Sequence, residues 1–213
     1  TGTNGINSNI GFLQNTSDDI ATLNIGGSGD VELIIVDGTF DTKAVTIDAS
    51  GLTGTGDLTI TQTDAVLYKG STVTGSSNGD TIGMTTTLGS TYNLGGGADG
   101  ITGVVANFVA DGTDDTVLTG GAGTDTLTLT DTGVTVTDNH FTNVTGMEAI
   151  TLSGAMDTVS ITSGSAFDTQ AFADGVTITV ADIEAEANPT IAMGLYDQGA
   201  TVALTTEGDG SEA

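Results

Sequence analysis

Cysteine, tryptophan and arginine are missing from these 213 residues, and proline occurs once, at Pro189. Without cysteine there are no disulfides and no thiolate metal sites. Basic side chains are nearly absent too: Lys43 and Lys69 stand against 28 acidic residues, giving a formal net charge of −26. Two lysines cannot build a basic patch, so binding to nucleic acid or to an anionic membrane surface is excluded. No apolar run is long enough to span a bilayer, and direct membrane insertion is not expected. Aromatic residues make up only 4% of the chain, which leaves Val, Ile and Leu to form a thin core. The hydrophobic fraction of 37% is nevertheless too high for an acidic disordered chain.

What is present is glycine, threonine and aspartate in alternating short phrases. Of the acids, 22 are Asp, whose short side chain suits turns and oxygen cages better than helices. After an Asn- and Ser-rich arm over residues 1–19, strands are predicted at Ala21–Ile25, Val31–Val36 and Ala44–Asp48. The second of these, VELIIV, is apolar enough to be read as covered on both faces. Gly/Asp turns then precede LTIT (from Leu58), TIGM (from Thr81), GITGVV (from Gly100) and TVLT (from Thr116). The aspartates Asp30, Asp57, Asp80, Asp99, Asp115 and Asp125 are spaced by 27, 23, 19, 16 and 10 residues, a loose and shrinking repeat. From residue 134 the style changes to Thr-rich strands at Val134–Thr137, Asp157–Thr162, Val176–Ala181, Ile191–Leu195 and Thr201–Thr206. A polar crossing runs over Asn139–Glu148, and short helical turns are expected at Ala166–Ala173 and Asp182–Ala187. The expected fold is all-β: an irregular β-solenoid or β-roll-like stack of short strands joined by Gly/Asp turns. The expected division is a Gly/Asp-turn region over 1–133 and a Thr-rich region over 134–213.

The most informative stretch is TGGAGTDTLTLTD, Thr119 to Asp131. Gly120, Gly121 and Gly123 precede Asp125, and Leu127 and Leu129 then alternate with Thr126, Thr128 and Thr130. Each fixed position of the nonapeptide G-G-x-G-x-D-x-U-x is matched. Glycines permit a turn tight enough for carbonyl oxygens to face inward, and Asp125 adds a carboxylate. Calcium prefers such an all-oxygen shell; the plain alternative is a Gly-rich hairpin turn. The Asp99 loop, with Gly97, misses only the first glycine. The Asp80 loop keeps one glycine and places Asn78 at the inner position. Asp111, Asp114 and Asp115 crowd three carboxylates into five residues and are assigned to a cation as well. One such loop supplies half a site, so stacked neighbours are needed.

Nothing in the sequence reads as catalytic. Asp131-Thr132-Gly133 matches the catalytic triplet of aspartic proteases, but those need two facing loops and no second triplet occurs. His140, the one histidine, lies in the polar crossing without a nucleophile elbow to serve.

The phrases GGAGTDTLTLTD (120–131), GGGADGITG (95–103) and NVTGMEAITLSGAMDTVSIT (143–162) resemble the glycine-aspartate repeat proteins of bacterial surfaces, namely RTX-type β-rolls and calcium-dependent S-layer proteins and adhesins. The resemblance implies calcium positions at Gly121, Gly123, Asp125, Gly97 and Asp99. It also implies an extracellular, cell-surface location and self-assembly into a lattice or filament, with cell-surface polysaccharide as a further partner. Two rivals stay open. One is an adhesin module binding glycan or a partner cell. The other is a β-helical polysaccharide-processing enzyme, for which only Lys43 and Lys69 offer a basic group beside paired carboxylates.

Overall fold

The computed structural model of the protein describes residues 8–10, 20–36, 42–63, 67–85, 89–112, 115–133, 135–153, 160–183, 190–194 and 196–206. Strands are numbered β1 to β18 along the chain. Nine form one sheet in the order β1 (Ser8–Ile10), β3 (Val31–Val36), β5 (Leu58–Thr63), β7 (Thr81–Gly83), β9 (Gly100–Gly103), β11 (Thr126–Leu129), β14 (Ala149–Leu152), β16 (Val176–Ile183) and β18 (Ala200–Thr206). Six form a second sheet in the order β13 (Val144–Thr145), β10 (Val117–Gly123), β8 (Thr91–Gly97), β6 (Thr72–Thr74), β4 (Thr46–Leu52) and β2 (Thr22–Gly27). A third sheet joins β12 (Thr135–Val136), β15 (Ser160–Thr162) and β17 (Thr190–Ala192). Every described pairing is parallel and joins one coil to the next, which makes a β-solenoid.

Each coil is written locally in the sequence. In β11 the inward Leu127 and Leu129 are buried while Thr126 and Thr128 are half-buried on the outer face, the period-two pattern of a strand with one covered side. β-Branched Thr, Val and Ile suit this pleated surface. Burial of Leu33, Ile60, Ile82, Ile101, Leu127 and Ile150 in one continuous column supplies the cohesion, each side chain contributing about 1.5–3 kcal/mol. In the nine-stranded sheet β11 pairs with β14 in register, so strands from the Gly/Asp-turn region and from the Thr-rich region lie side by side in one sheet. The third sheet comes from the Thr-rich region and accompanies an aromatic cluster. Phe141, Phe167 and Phe172 are buried with ring centroids 4.5–5.5 Å apart, and Tyr196 packs on Phe167.

Several expectations change. Val31–Val36 is not covered on both faces: Leu33 and Ile35 point inward and are fully buried, whereas Ile34 lies half-buried on the outer face. The polar crossing holds a 3-10 turn at Asp138–Phe141 and the short strand β13. Asp182 and Ile183 continue β16 and do not open a helix; residues 184–189 lie outside the described residues. The expected turn near Ala166–Ala173 is present as a π-helical segment, Phe167–Ala171, with Phe167 and Ala171 buried. Because Ile34 faces outward in line with Thr61, Ile34→Thr is expected to change unfolding free energy by less than about 1 kcal/mol in urea titration. A larger loss would show that something covers this face.

Candidate metal centre

In each coil a tight turn carries the chain from the six-stranded sheet into the nine-stranded one, and its last residue before the strand is acidic. Asp30, Asp57, Asp80, Asp99, Asp125 and Glu148 therefore stack in one column. The Asp57 amide donates to Asp30 Oδ1 at 3.4 Å, Asp80 to Asp99 Oδ1 at 2.7 Å, Asp99 to Asp125 Oδ1 at 3.0 Å and Asp125 to Glu148 Oε2 at 2.7 Å. Asp80 instead reaches back to accept the Leu58 amide at 2.6 Å. Neighbouring members of such a column are about 4.8 Å apart, the spacing of paired strands.

The inner three members, Asp80, Asp99 and Asp125, are buried. Asp80 is saturated: Oδ1 takes the Leu58 amide and the Ser76 hydroxyl, and Oδ2 takes the Ser76 amide at 2.6 Å. Asp99 and Asp125 are not. Asp99 Oδ2 and Asp125 Oδ2 are buried without a hydrogen-bond partner. Burial pushes the Asp99 carboxyl up to about 7, the Asp80 amide pulls it back, and the charges of Asp125, Asp80 and Asp57 add to the rise. Asp80 and Asp125 are raised for the same first reason, burial, against the donors that hold them.

Glycines make room for this column. Gly97 and Gly123 pair across adjacent coils, as do Gly95 and Gly121, and all four have positive φ. A Cβ on Gly120 would crowd the Asp125 carboxylate, and one on Gly75 the Asp80 carboxylate. Ser76, Gly75 and Glu148 thus belong to the site although the sequence reading passed over them, and Gly120, named there as part of the motif, belongs to it too. Glu148 was legible only through its position just ahead of the strand Ala149–Leu152.

The other assigned residues sit elsewhere. Asn78 donates its side-chain amide to the Gly56 carbonyl at 3.0 Å, tying one coil to the previous one. Asp115 is not in the column, and the shrinking spacing that included it does not describe the coils. Its Oδ1 accepts the amides of Asp111 and Gly112, both at 3.0 Å, and Oδ2 accepts the Asn143 side chain at 3.3 Å. Asp111 is exposed on that same loop, and Asp114 lies outside the described residues. Asp30 and Asp57, named from sequence only in the spaced series of aspartates, are members of the column at the end opposite Glu148.

Calcium takes six to eight oxygens. Asp99 Oδ2 and Asp125 Oδ2 have the chemistry of such ligands, but among the described residues no three carboxylate or imidazole groups converge on one point. A cation here would draw its remaining ligands from carbonyls or water. His140 accepts the Thr137 amide on Nδ1 at 3.0 Å and closes its own 3-10 turn, while Asp131 accepts the Val105 amide at 2.6 Å. Both are spent on structure. Comparison with family models, curated proteins and solved structures finds no match to this chain.

Proposed function

We propose that this is an extracellular structural protein whose solenoids join on a cell surface, as an S-layer or a filament, with calcium as the stabilising ion. The observation that carries the reading is the column of stacked acids, in which Asp99 Oδ2 and Asp125 Oδ2 are buried without a hydrogen-bond partner. A parallel stack of coils with so little internal counter-charge suits an extended scaffold held together by cations.

Two bodies of charge −26 repel each other, so assembly requires counter-ions. The unpartnered oxygens of Asp99 and Asp125 favour calcium as that counter-ion, and an ion that binds the native state alone stabilises it by mass action. Electron microscopy and light scattering of the purified chain test the reading. Calcium is expected to produce ordered assemblies, EGTA to disperse them, and Asp125→Asn to need more calcium to assemble. Sodium chloride restoring assembly as well as calcium does would replace specific binding by charge screening. Assembly that needs no calcium, or no assembly with it, would overturn the reading.

A further inference from the structure

Among the described side chains, no acidic residue stands in the aligned positions on the outer face of the nine-stranded sheet from β5 to β16. Two straight columns of outward positions run up that face. One is Thr59, Thr81, Gly100, Thr126, Ala149 and Thr177; the other is Thr61, Gly83, Thr102, Thr128, Thr151 and Thr179. Nothing in either column is larger than threonine, so no side chain stands above the rest. The array stops at β3, where Glu32 and Ile34 occupy the two aligned positions. The six-stranded sheet repeats only one of the two columns: Thr22, Thr46, Thr72 and Thr91 align and end at Val117, while the other column holds Asn24, Asp48, Thr74, Asn93 and Thr119.

The geometry points to a binding face for crystalline water, with the threonine array of the nine-stranded sheet matching the surface of ice. Coils repeat about 4.8 Å apart, and alternate residues along a strand about 6.6 Å apart, in an unbroken register. These two spacings lie close to the repeats of a prism plane of hexagonal ice. Threonine suits such a plane twice over. Its hydroxyl anchors a water by a hydrogen bond, and its methyl orders the waters around it without binding them. Its β-branch also restricts χ1, so the array is set before it meets its ligand.

A charged side chain would impose its own hydration shell, so the absence of acids from these two columns bears on the ligand. Each contact is weak, but a rigid array engages many at once. A protein partner fits poorly, because such interfaces are anchored by aromatic, Met or Arg side chains and this face has none. A sugar polymer would find no ring to stack on.

Freezing-point depression without a matching shift in melting point, and inhibition of ice recrystallisation, are the readouts for the whole chain. The wild type is expected to show both, and a globular protein of equal size neither. Thr102→Lys with Thr128→Lys should abolish both effects while leaving the circular-dichroism melt unchanged, since both positions face outward. Thr72→Lys on the six-stranded sheet should leave them intact. Gly83→Thr with Gly100→Thr fills the two glycine gaps and leaves Ala149 as the one position without threonine. A side chain at Gly100 meets nothing within 4 Å, and one at Gly83 only the Ile60 carbonyl at 3.6 Å. That variant should bind ice more strongly than the wild type.

The proposal is overturned by a wild type that does not arrest ice growth, by full activity in the double lysine variant, or by loss of activity in Thr72→Lys. No gain on filling the gaps would show that threonine regularity is not what is recognised. If sedimentation shows a dimer that the double lysine variant splits, the face belongs to a second copy of the chain and not to ice. None of these readouts depends on calcium-driven assembly, so this inference and the structural role fail separately.

Discussion

Gly123→Ala is expected to cost about 4 kcal/mol or more in urea denaturation, enough to unfold the coils on either side of it. Gly123 has a φ of +144°, a conformation that L side chains rarely adopt. Its Cα also lies against the Gly97 carbonyl of the adjacent coil, and a Cβ built there would overlap that oxygen. The pairing of Gly123 with Gly97 and of Gly121 with Gly95 leaves backbone on both sides, so no flexible side chain can move aside. Relief would require the coils to separate, and that breaks the Asp99-to-Asp125 hydrogen bond of the column at the same level. Gly194→Ala is the control: its φ is not positive and its Cβ would meet nothing within 4 Å. It should stay within about 0.5 kcal/mol of the wild type. Equal stability of the two variants would mean that the stack gives way freely at this turn.

The second large effect is on pH. The melting temperature is expected to fall by several degrees as pH rises from 5 to 8, and Asp99→Asn should flatten much of that slope. Folding carries the Asp99 carboxyl from its ordinary 3.8 to about 7, through burial first and then the charges of Asp125, Asp80 and Asp57. The folded state therefore binds more protons than the unfolded one between those values. The stability it contributes is complete below 3.8 and is lost as pH rises through about 7. Asp80 and Asp125 shift in the same direction and add to the slope. Stacked carboxylates in a dry column cannot all ionise together. In the asparagine variant the oxygen that accepts the Asp80 amide is kept, so the column's geometry survives while one proton site is removed. Differential scanning calorimetry across this range decides the matter: a flat or rising wild-type curve, or an unaltered slope in Asp99→Asn, overturns it. Calcium enters the same test. If it binds the unpartnered oxygens of Asp99 and Asp125, it should raise the melting temperature more at pH 8 than at pH 5, because protons compete for the same atoms.

The sequence by itself determined whatever depends on nearest neighbours along the chain. That Leu127 and Leu129 face inward and Thr126 and Thr128 outward follows from the period of a strand, and the glycines of 120–123 mark a turn with unusual φ. The all-β solenoid follows from repeating those two local rules. Tertiary structure alone decided which residues lie above one another. The step from Asp80 to Asp99 is 19 residues and that from Asp99 to Asp125 is 26, because the return segments between strands absorb the difference. Column membership depends on that variable length, so Asp115 looks like a member and is not, while Glu148 is one without the expected residue type. Ile34 needed the same information: whether an apolar outward position is covered depends on what other coils and loops place over it. The threonine columns show both sides of the division. Each strand's outward threonines are legible in its own few residues, but their alignment into one uncharged array exists only through the register between coils.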